Sequence, residues 1–394
     1  MHKNWIDSKN AHQLGKIELL CEEIYKKSKM LFECVYLIKV TSLMLVRPKY
    51  KIKSKTRIVY CPSNKYTKYL LGCNFNKYDI ISDAPLEGIL KTFTTYQAIN
   101  SKFKFFFFFL QNLLNVKLTD GYNDQVFTTK ETDRIFYKFK LAYTKTLANF
   151  TDVECIISLH PTSLLSQSFT KVFKKAYFKS FRPTTTEQPF REFEYIDCDE
   201  YFYKSDFEHK IIQKLAHRVV QFQKSGYLID TRVSTSNESN KILFIDTVDQ
   251  TQKVEAKIRH FFSILLKIIG NTSMKVDVLQ HPTASRPITE KVPSKNRGVK
   301  LVKTLVKDSV YRLVIGYPST LFLELCCNCE NCIILTDQFG HEENNLSPTF
   351  KIFDLCSDVP KLKKVLFNTA QKAPSKHTEK SVFFVRNYGH IYEN

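Results

Sequence analysis

Short apolar runs alternate along the chain with longer segments in which apolar residues recur every three or four positions. The runs predict buried β-strands, and the periodic segments predict amphipathic helices. Strands are predicted over residues 57–61, 78–82, 153–159, 241–246, 276–279, 312–315, 332–335 and 351–355. Helices are predicted over residues 8–28, 130–148, 251–269 and 320–327. Strands that alternate with helices along the whole chain indicate an α/β fold.

Three further segments complete the pattern of the first half. Residues 32–40 form an apolar run that predicts a buried strand, which leads to a short helix at residues 42–46. Residues 104–109 contain five consecutive phenylalanines and fit either a strand or the start of a buried helix, because periodicity cannot separate the two over so few positions. Residues 209–224 predict a helix that Gly226 ends as a C-cap.

The most polar segment of the chain, residues 231–240, divides this pattern in two. It has no extended apolar run and predicts a domain linker. The chain has 394 residues, which is long enough for two domains. We therefore expect an N-terminal domain over residues 1–230 and a C-terminal domain over residues 241–394. Each domain is expected to contain a doubly wound sheet, and the two are expected to face a cleft.

The chain is strongly basic, with 59 Lys and Arg residues against 39 Asp and Glu residues, a net charge of +20. This excess favours a polyanionic neighbour such as nucleic acid, an anionic membrane surface or a phosphorylated substrate. Residues 47–57 and residues 291–307 each carry six basic residues and no acidic one. The alternative for each run is a solvated loop face.

The cysteines and the first residues bear on the compartment. Eleven cysteines in a chain of this size predict reduced thiols rather than a disulfide scaffold. Residues 1–28 are polar and show no signal-peptide core, and residues 30–46 are apolar but short and interrupted by Glu33 and Lys39. These features predict a cytoplasmic protein. The cysteines between residues 326 and 332 are expected to be packed thiols rather than zinc ligands, since zinc needs two convergent pairs.

Two polar clusters follow predicted strands in the second half. His281-Pro282 comes directly after the strand at 276–279, where a histidine can donate to a phosphate oxygen. Ser319-Thr320 follows Gly316 in a tight turn before a helix, where free backbone N–H groups favour an anion. The alternatives are an ordinary turn histidine and simple helix capping. The carboxyl ends of strands in open α/β sheets bind ligands, so these clusters predict an anion site.

A third cluster, Asp120-Gly121, lies in the first half. A carboxylate in a turn where glycine allows close approach suits a general base, although an Asp-Gly turn without a chemical role is the alternative.

In their order and spacing, Thr119-Asp120-Gly121, His281-Pro282 and Ser319-Thr320 resemble the motifs of bacterial sialyltransferases. The similar groups are the enzymes that modify lipooligosaccharide and those that build polysialic acid capsules. Those enzymes have an acidic-acidic-Gly motif, a His-Pro motif and a Ser-Ser/Thr motif. This chain departs from them at Thr119 and at Thr283, which stand where an acidic and a basic residue are usual.

The resemblance implies a GT-B-like fold of two Rossmann-type domains facing a central cleft, with the last helix crossing back to the first domain. It implies metal-independent, inverting transfer of sialic acid from CMP-sialic acid to a glycan of lipooligosaccharide or capsule. Asp120 would be the general base, and His281 would stabilise and protonate the departing phosphate. Pro282, Gly316, Ser319 and Thr320 would complete the donor site. No cofactor or metal is implied beyond the nucleotide-sugar donor.

The expected partners are therefore a nucleotide sugar and a glycan or glycolipid acceptor. The basic surface would hold the enzyme against the anionic inner membrane, as a peripheral cytoplasmic protein. Three alternatives stay open: a GT-B glycosyltransferase with another nucleotide donor, an inactive family member, and a basic nucleic-acid-binding protein. No nucleic-acid-binding motif accompanies the charge, so nucleic acid is not the expected partner.

Overall fold

The computed structural model describes fourteen stretches of the chain. They are residues 28–87, 89, 92–117, 131–183, 191–246, 252–270, 272–280, 298–316, 319–326, 329, 332–336, 352–354, 366 and 384–392.

A seven-stranded sheet, here called the first sheet, organises the N-terminal half. Every neighbouring pair of its strands is parallel, and the order is β3-β2-β1-β4-β5-β6-β7. The strands are β1 (Lys55–Tyr60), β2 (Asp79–Ser82), β3 (Thr92–Thr94), β4 (Asp152–Ser158), β5 (Tyr177–Phe181), β6 (Asp197–Tyr203) and β7 (Arg218–Lys224). The chain runs outward from β1 through β2 to β3, then returns to β4 on the other side of β1. The direction of winding therefore reverses between β1 and β4.

Within the described residues, five α-helices and two 3₁₀ helices accompany this sheet. They are α1 (Lys29–Val46), α2 (Lys102–Asn115), α3 (Glu131–Ala148), α4 (Leu164–Val172), α5 (Asp206–Leu215) and the 3₁₀ helices Asn64–Leu70 and Arg191–Tyr195. A serine begins four of them, because the hydroxyls of Ser28, Ser101, Ser163 and Ser205 each accept a hydrogen bond from the backbone N–H three residues later. This capping satisfies a donor that has no partner within the helix.

Alternate residues of β1 enter two separate cores. Ile58 and Tyr60 pack with α1 to α4 on one face of the first sheet, whereas Val59 and Cys61 pack with the 3₁₀ helix Asn64–Leu70 on the other. Side chains of a strand point to opposite faces in turn, so a sheet buried on both faces needs apolar residues at consecutive positions.

A six-stranded parallel sheet, here called the second sheet, organises the C-terminal half in the order β12-β11-β10-β14-β15-β16. Its strands are β10 (Lys241–Ile245), β11 (Lys275–Leu279), β12 (Val299–Val302), β14 (Leu313–Gly316), β15 (Cys332–Thr336) and β16 (Ile352–Asp354). Helices α6 (Gln252–Ile269) and α7 (Thr320–Cys326) belong to this half. The winding reverses between β10 and β14, because β11 and β12 lie on one side of β10 and β14 to β16 on the other.

Short strand pairs and the C-terminus join the two halves. Strand β8 (Tyr227–Leu228) pairs with β17 (Phe384–Val385), and β9 (Val233–Thr235) pairs with β13 (Ser309–Tyr311). The last helix, α8 (Gly389–Tyr392), packs in the core on the second face of the first sheet. Its Tyr392 donates a hydrogen bond to the carbonyl of Tyr69 at 2.7 Å and accepts one from Tyr78 at 2.9 Å.

The predicted α/β class with two Rossmann-type sheets is confirmed, but three local predictions were wrong or had been left open. Residues 32–40 belong to helix α1, not to a strand, because Phe32, Tyr36, Val40 and Met44 are buried at helical spacing. The phenylalanine run lies in helix α2. Residues 209–224 divide into α5 and strand β7, so Gly226 follows a strand and caps no helix. The segment 231–240 contains β9, which pairs with β13, and its role as a domain linker stays a prediction.

Among the helices of the described residues, none combines the length and apolar character that a membrane-spanning segment requires.

Candidate functional site

The predicted site residues fall into two groups. Asp120, His281 and Pro282, together with the neighbouring positions 119, 121 and 283, lie outside the described residues. Gly316, Ser319 and Thr320 are described, at the carboxyl end of β14 and the start of α7.

Gly316 allows helix α7 to pack closely against the second sheet. A Cβ atom at this position would lie 2.7 Å from Cδ2 of Phe322 and 3.2 Å from Cβ of Ile245. Phe322 is fully buried, so its ring has no free space to move into. The glycine is therefore required by packing at the turn between β14 and α7, whatever else the turn binds.

Ser319 begins helix α7. Its hydroxyl oxygen accepts a hydrogen bond from the Phe322 N–H at 3.2 Å, and its carbonyl accepts one from the Leu323 N–H at 3.0 Å. A hydroxyl that accepts in this way still has its own hydrogen to donate. Ser319 can therefore cap the helix and donate to an anion at the same time, while Thr320 supplies the first helical N–H.

The strand order places the end of β11 at the same edge of the sheet as the start of α7. Strands β11 and β14 both pair with β10, with Leu279 and Gly316 each opposite Ile245. Gln280, the residue before His281, and Asp246, which follows β10, lie at the same carboxyl edge, where Asp246 is buried. The edge thus brings the ends of three adjacent strands together, and two of these ends lead into the predicted motifs.

Helix α7 also contacts the first sheet through a buried acid. Glu324 is only 2% exposed and accepts hydrogen bonds from Lys68 Nζ at 2.6 and 2.8 Å. The Tyr69 hydroxyl lies 3.3 Å from the same carboxylate. Lys68 and Tyr69 belong to the 3₁₀ helix that follows β1, and α7 follows β14. The contact therefore joins the carboxyl ends of β1 and β14, the strands at which each sheet reverses its winding.

The environment of Glu324 raises the pKa of its carboxyl. Burial raises the pKa of this carboxyl, and the ammonium of Lys68 and the hydroxyl of Tyr69 oppose the shift without cancelling it. The pKa of Glu324 therefore lies above the usual glutamate value, and Lys68 is the group that favours its charged form.

A second buried ion pair follows β6. Lys204 and Glu208 are both fully buried, and their Nζ and Oε1 atoms are 3.1 Å apart. Glu208 also accepts from the Tyr201 hydroxyl at 2.9 Å and from the Lys204 N–H at 2.8 Å, and Lys204 Nζ donates to the carbonyl of Arg182. Burial lowers the pKa of Lys204, and the charge of Glu208 opposes this shift. Both side chains are thus held inside the protein by several hydrogen bonds.

Asp83 is a carboxylate that sequence reasoning missed. It directly follows β2. Its carboxylate accepts a hydrogen bond from the Tyr60 hydroxyl at 2.5 Å and forms an ion pair with Lys140 of α3. Burial alone would raise the pKa of Asp83, but the charge and hydrogen bond of Lys140 and the hydroxyls of Tyr60 and Thr95 outweigh it, so the pKa is lowered. The side chain remains 37% exposed, and solvent or a ligand can reach it.

A histidine lies at the end of β4, the strand next to β1. His160 is half-buried, its ring contacts Tyr66 edge-on with centroids 6.2 Å apart, and Nδ1 is 3.4 Å from the Thr162 hydroxyl. Its backbone N–H donates to the Ser158 hydroxyl at 3.1 Å. The carboxyl edge of the first sheet therefore presents an imidazole at the end of β4 and a lysine-paired carboxylate at the end of β2.

The described cysteines of the predicted thiol cluster lie near backbone carbonyls. Cys332 Sγ lies 3.5 Å from the Cys329 carbonyl, and Cys329 Sγ lies 3.8 Å from the Val233 carbonyl. The neighbouring Cys332 thiol and burial raise the pKa of Cys329. Within the part of the chain that the structure describes, no group of three His, Cys, Asp or Glu side chains is arranged to hold a metal ion.

The sequence contained a usable signal for only some of these residues. Asp83 and His160 come directly after predicted strands, as His281 does, so the same strand-end rule points to all three. Lys68 and Glu324 are separated by 256 positions, and neither lies in a recognisable pattern. Only the three-dimensional arrangement brings those two together.

Comparisons with known proteins found structures of similar shape. The UDP-GlcNAc 2-epimerase of Methanocaldococcus jannaschii has a TM-score of 0.48 and 10% identity, over 85% of this chain and 97% of that one. The α,α-trehalose 6-phosphate synthase of Burkholderia multivorans has a TM-score of 0.45 and 8% identity, over 79% of this chain and 91% of that one. No protein-family model and no curated protein sequence matches the chain. At identities near 10% and TM-scores below 0.5, these similarities assign no activity.

Proposed function

We propose that this chain is a GT-B-type glycosyltransferase that uses a nucleotide-sugar donor. The observation that carries the proposal is the contact between Glu324 and Lys68, which brings the carboxyl ends of β14 and β1 together. Each of these strands lies where its parallel sheet reverses its winding, and ligands of open α/β sheets bind at such points. Two such points that face each other suit a substrate with two parts, a donor and an acceptor.

In this proposal the donor binds at the carboxyl edge of the second sheet. The Ser319 hydroxyl, the first N–H groups of α7 and the side chains of Thr320 and His281 receive the nucleotide phosphate, and Gly316 and Pro282 shape the turns beside it. The roles of His281 and Pro282 come from the resemblance to sialyltransferases. That resemblance also supports sialic acid from CMP-sialic acid as the transferred group, with another nucleotide sugar as the competing donor.

The acceptor is a glycan or glycolipid that binds at the carboxyl edge of the first sheet, and one of its hydroxyls attacks the donor. Asp120 removes the proton of that hydroxyl as general base, by the same resemblance. Asp83 has a different role, because its lowered pKa makes it a weak base. Its carboxylate, fixed by Tyr60 and Lys140, instead accepts hydrogen bonds from acceptor hydroxyls.

The donor assignment is tested by nucleotide binding. Thermal unfolding is measured with CMP, UDP and GDP in turn, with and without EDTA, since a ligand that binds the folded state raises the melting temperature. A rise with CMP alone supports sialyl transfer, and a rise with UDP or GDP alone supports the competing donor. Persistence of the rise in EDTA supports metal independence. No rise with any nucleotide would overturn the proposed class.

The catalytic assignment is tested by nucleotide release with candidate acceptors. We expect Asp120→Ala to abolish turnover and to retain the nucleotide-induced rise in melting temperature. Asp152→Ala is the matched control, because Asp152 is exposed at the amino end of β4, the opposite edge of the first sheet. Turnover by the Asp120→Ala variant at the wild-type rate would remove Asp120 from the role of base.

A further inference from the structure

Helices α1 and α2 expose large apolar side chains on their outer faces. On α1 these include Met30, Ile38 and Val46, which are 77%, 65% and 82% exposed. On α2 they include Phe103, Phe107 and Leu114, which are 82%, 59% and 85% exposed. Single exposed apolar residues are ordinary, but a group of this size on two adjacent helices marks an interaction site.

The two helices present these residues on one surface. The buried sides of both helices pack on α3, where the ring of Phe139 lies 4.5 Å from that of Tyr36 in α1 and 6.3 Å from that of Phe109 in α2, centroid to centroid. Lys102 at the start of α2 donates a hydrogen bond to the carbonyl of Leu45 near the end of α1. The outer sides therefore form a continuous surface, here called the α1–α2 face.

This face lies in a strongly basic part of the chain. Residues 29–57 and 101–117 together contain eleven basic residues and a single acidic one, Glu33. Glu33 lies 3.9 Å from Lys138 of α3. Lys29 and Lys39 of α1, Lys104 of α2 and the lysines between residues 49 and 53 are exposed. Apolar side chains are thus bordered by cations.

We propose that the α1–α2 face docks this protein on an anionic lipid bilayer, with both helices in the plane of the membrane surface. An amphipathic helix with lysines beside an apolar face binds in this way, since the apolar side chains enter the boundary between headgroups and acyl chains. The lysines contact the lipid phosphates, and each adds about 1 kcal/mol of attraction near an anionic surface. Charge complementarity therefore identifies the occupant.

The same charges disfavour a second copy of the chain as the occupant. A twofold dimer through this face would place each patch of lysines against the identical patch of its partner. Single-stranded nucleic acid would stack on Phe103 and Phe107, but Met30, Ile38, Val46 and Leu114 offer no aromatic ring for stacking. The aliphatic majority favours lipid.

Sedimentation with vesicles tests the proposal on the full-length protein. We expect wild-type protein to bind vesicles of phosphatidylcholine with phosphatidylglycerol, and to bind pure phosphatidylcholine vesicles much more weakly. The double variant Phe103→Ser with Phe107→Ser should weaken binding to the anionic vesicles by roughly tenfold or more. Its matched control is Val220→Ser with Val306→Ser, because these side chains are 67% and 68% exposed elsewhere on the surface. The control pair should bind as the wild type does.

Entry of the α1–α2 face into the bilayer is measured separately with a label on Cys34, which is exposed on α1. An environment-sensitive fluorophore on thiols should shift to the blue with anionic vesicles, and Cys34→Ser should remove that component of the shift. Equal vesicle binding by the wild type and by the phenylalanine double variant would overturn the apolar part of the proposal. A wild-type dimer that this variant converts to monomer in lipid-free buffer would identify a second copy instead. Loss of binding to a DNA oligonucleotide in this variant, without any lipid binding by the wild type, would identify nucleic acid.

Discussion

The carboxyl edges of the two sheets differ in how they hold charge. At the edge of the first sheet, Asp83 is paired with Lys140, and Lys204 is paired with Glu208. At the edge of the second sheet, the β14–α7 turn offers a glycine, a serine hydroxyl and the start of a helix, and the nearby acid Glu324 points to the first sheet. The first edge is charged but already paired, whereas the second has donors that remain available.

This difference in charge pairing indicates which kind of ligand each edge can bind. Fixed ion pairs hold their oxygens and nitrogens in place, which suits the recognition of neutral hydroxyls by hydrogen bonds. Helix N–H groups and a serine hydroxyl are hydrogen-bond donors, which suits the binding of an anion. This contrast supports the proposed placement of a nucleotide phosphate at the second edge and of a sugar at the first.

The largest expected effect concerns the Lys204–Glu208 pair. Glu208→Ala leaves the ammonium of Lys204 buried without its carboxylate, so we expect the free energy of unfolding to fall by about 3–5 kcal/mol. Urea unfolding at neutral pH measures it. Asp206→Ala is the matched control in the same helix, because Asp206 is partly exposed in the first turn of α5. A loss for Glu208→Ala no larger than that of the control would contradict the claim that the first edge depends on buried pairs.

The next effect concerns packing at the second edge. Gly316→Ala would place a Cβ atom 2.7 Å from the ring of Phe322, and we expect destabilisation by about 1–3 kcal/mol. Adding Phe322→Leu should recover part of this loss, since the smaller side chain removes the contact atom. Gly298→Ala is the control, because its nearest contact would be a looser 3.3 Å. If Gly316→Ala were neutral in urea unfolding, tight packing would not explain the glycine.

The second sheet was more predictable from sequence than the first half of the chain. Its strands are short apolar runs such as residues 241–245, and the predicted strands match β10, β11, β14, β15 and β16. Residues 32–40 alone predict a strand, because Val35, Leu37, Ile38 and Val40 are apolar within nine positions. A window extended to Met44 shows the four-residue spacing of a helix, so the short window caused the error.

Some residues of the candidate site could be predicted from the sequence, and others could not. A serine before a helix and a polar residue after a strand are local features, so Ser319 and the edge that holds it could be predicted. The partners of Asp83 could not, because Lys140 lies on a helix 57 residues away and no local rule sets its distance. Ion pairs between distant segments depend on packing, which short patterns do not encode.

A smaller effect concerns the contact between the edges. Lys68→Met leaves the buried Glu324 carboxylate unpaired, so we expect a loss of about 1–3 kcal/mol, whereas Glu324→Gln should cost less because Lys68 is 41% exposed. The pKa of this carboxyl is higher in the folded state than in the unfolded state. Its contribution to stability therefore falls as pH rises from the unfolded-state pKa to the folded-state pKa. Removing the ammonium of Lys68 raises the folded-state pKa further and so widens this pH range.

The pH dependence separates this explanation from simple loss of contacts. The deficit of Lys68→Met relative to the wild type should grow between about pH 5 and about pH 8, as measured by urea unfolding. In the Glu324→Gln background, Lys68→Met should have little further effect and no such pH dependence, because no carboxyl remains to titrate. A deficit that is constant with pH would mean that Lys68 acts by packing alone.

The smallest effect concerns Asp83 and appears only in acid. Because the pKa of Asp83 is lower folded than unfolded, its carboxylate contributes stability that is complete above the unfolded value and is lost as pH falls through the folded value. Asp83→Asn removes this contribution, so the gap in stability between wild type and variant should narrow below about pH 4. The exposed Asp152→Asn variant is the control in the same urea series. A gap for Asp83→Asn that stayed constant into acid would show that Lys140 and Tyr60 do not favour the charged form, and the first edge would then lack the fixed carboxylate that acceptor recognition requires.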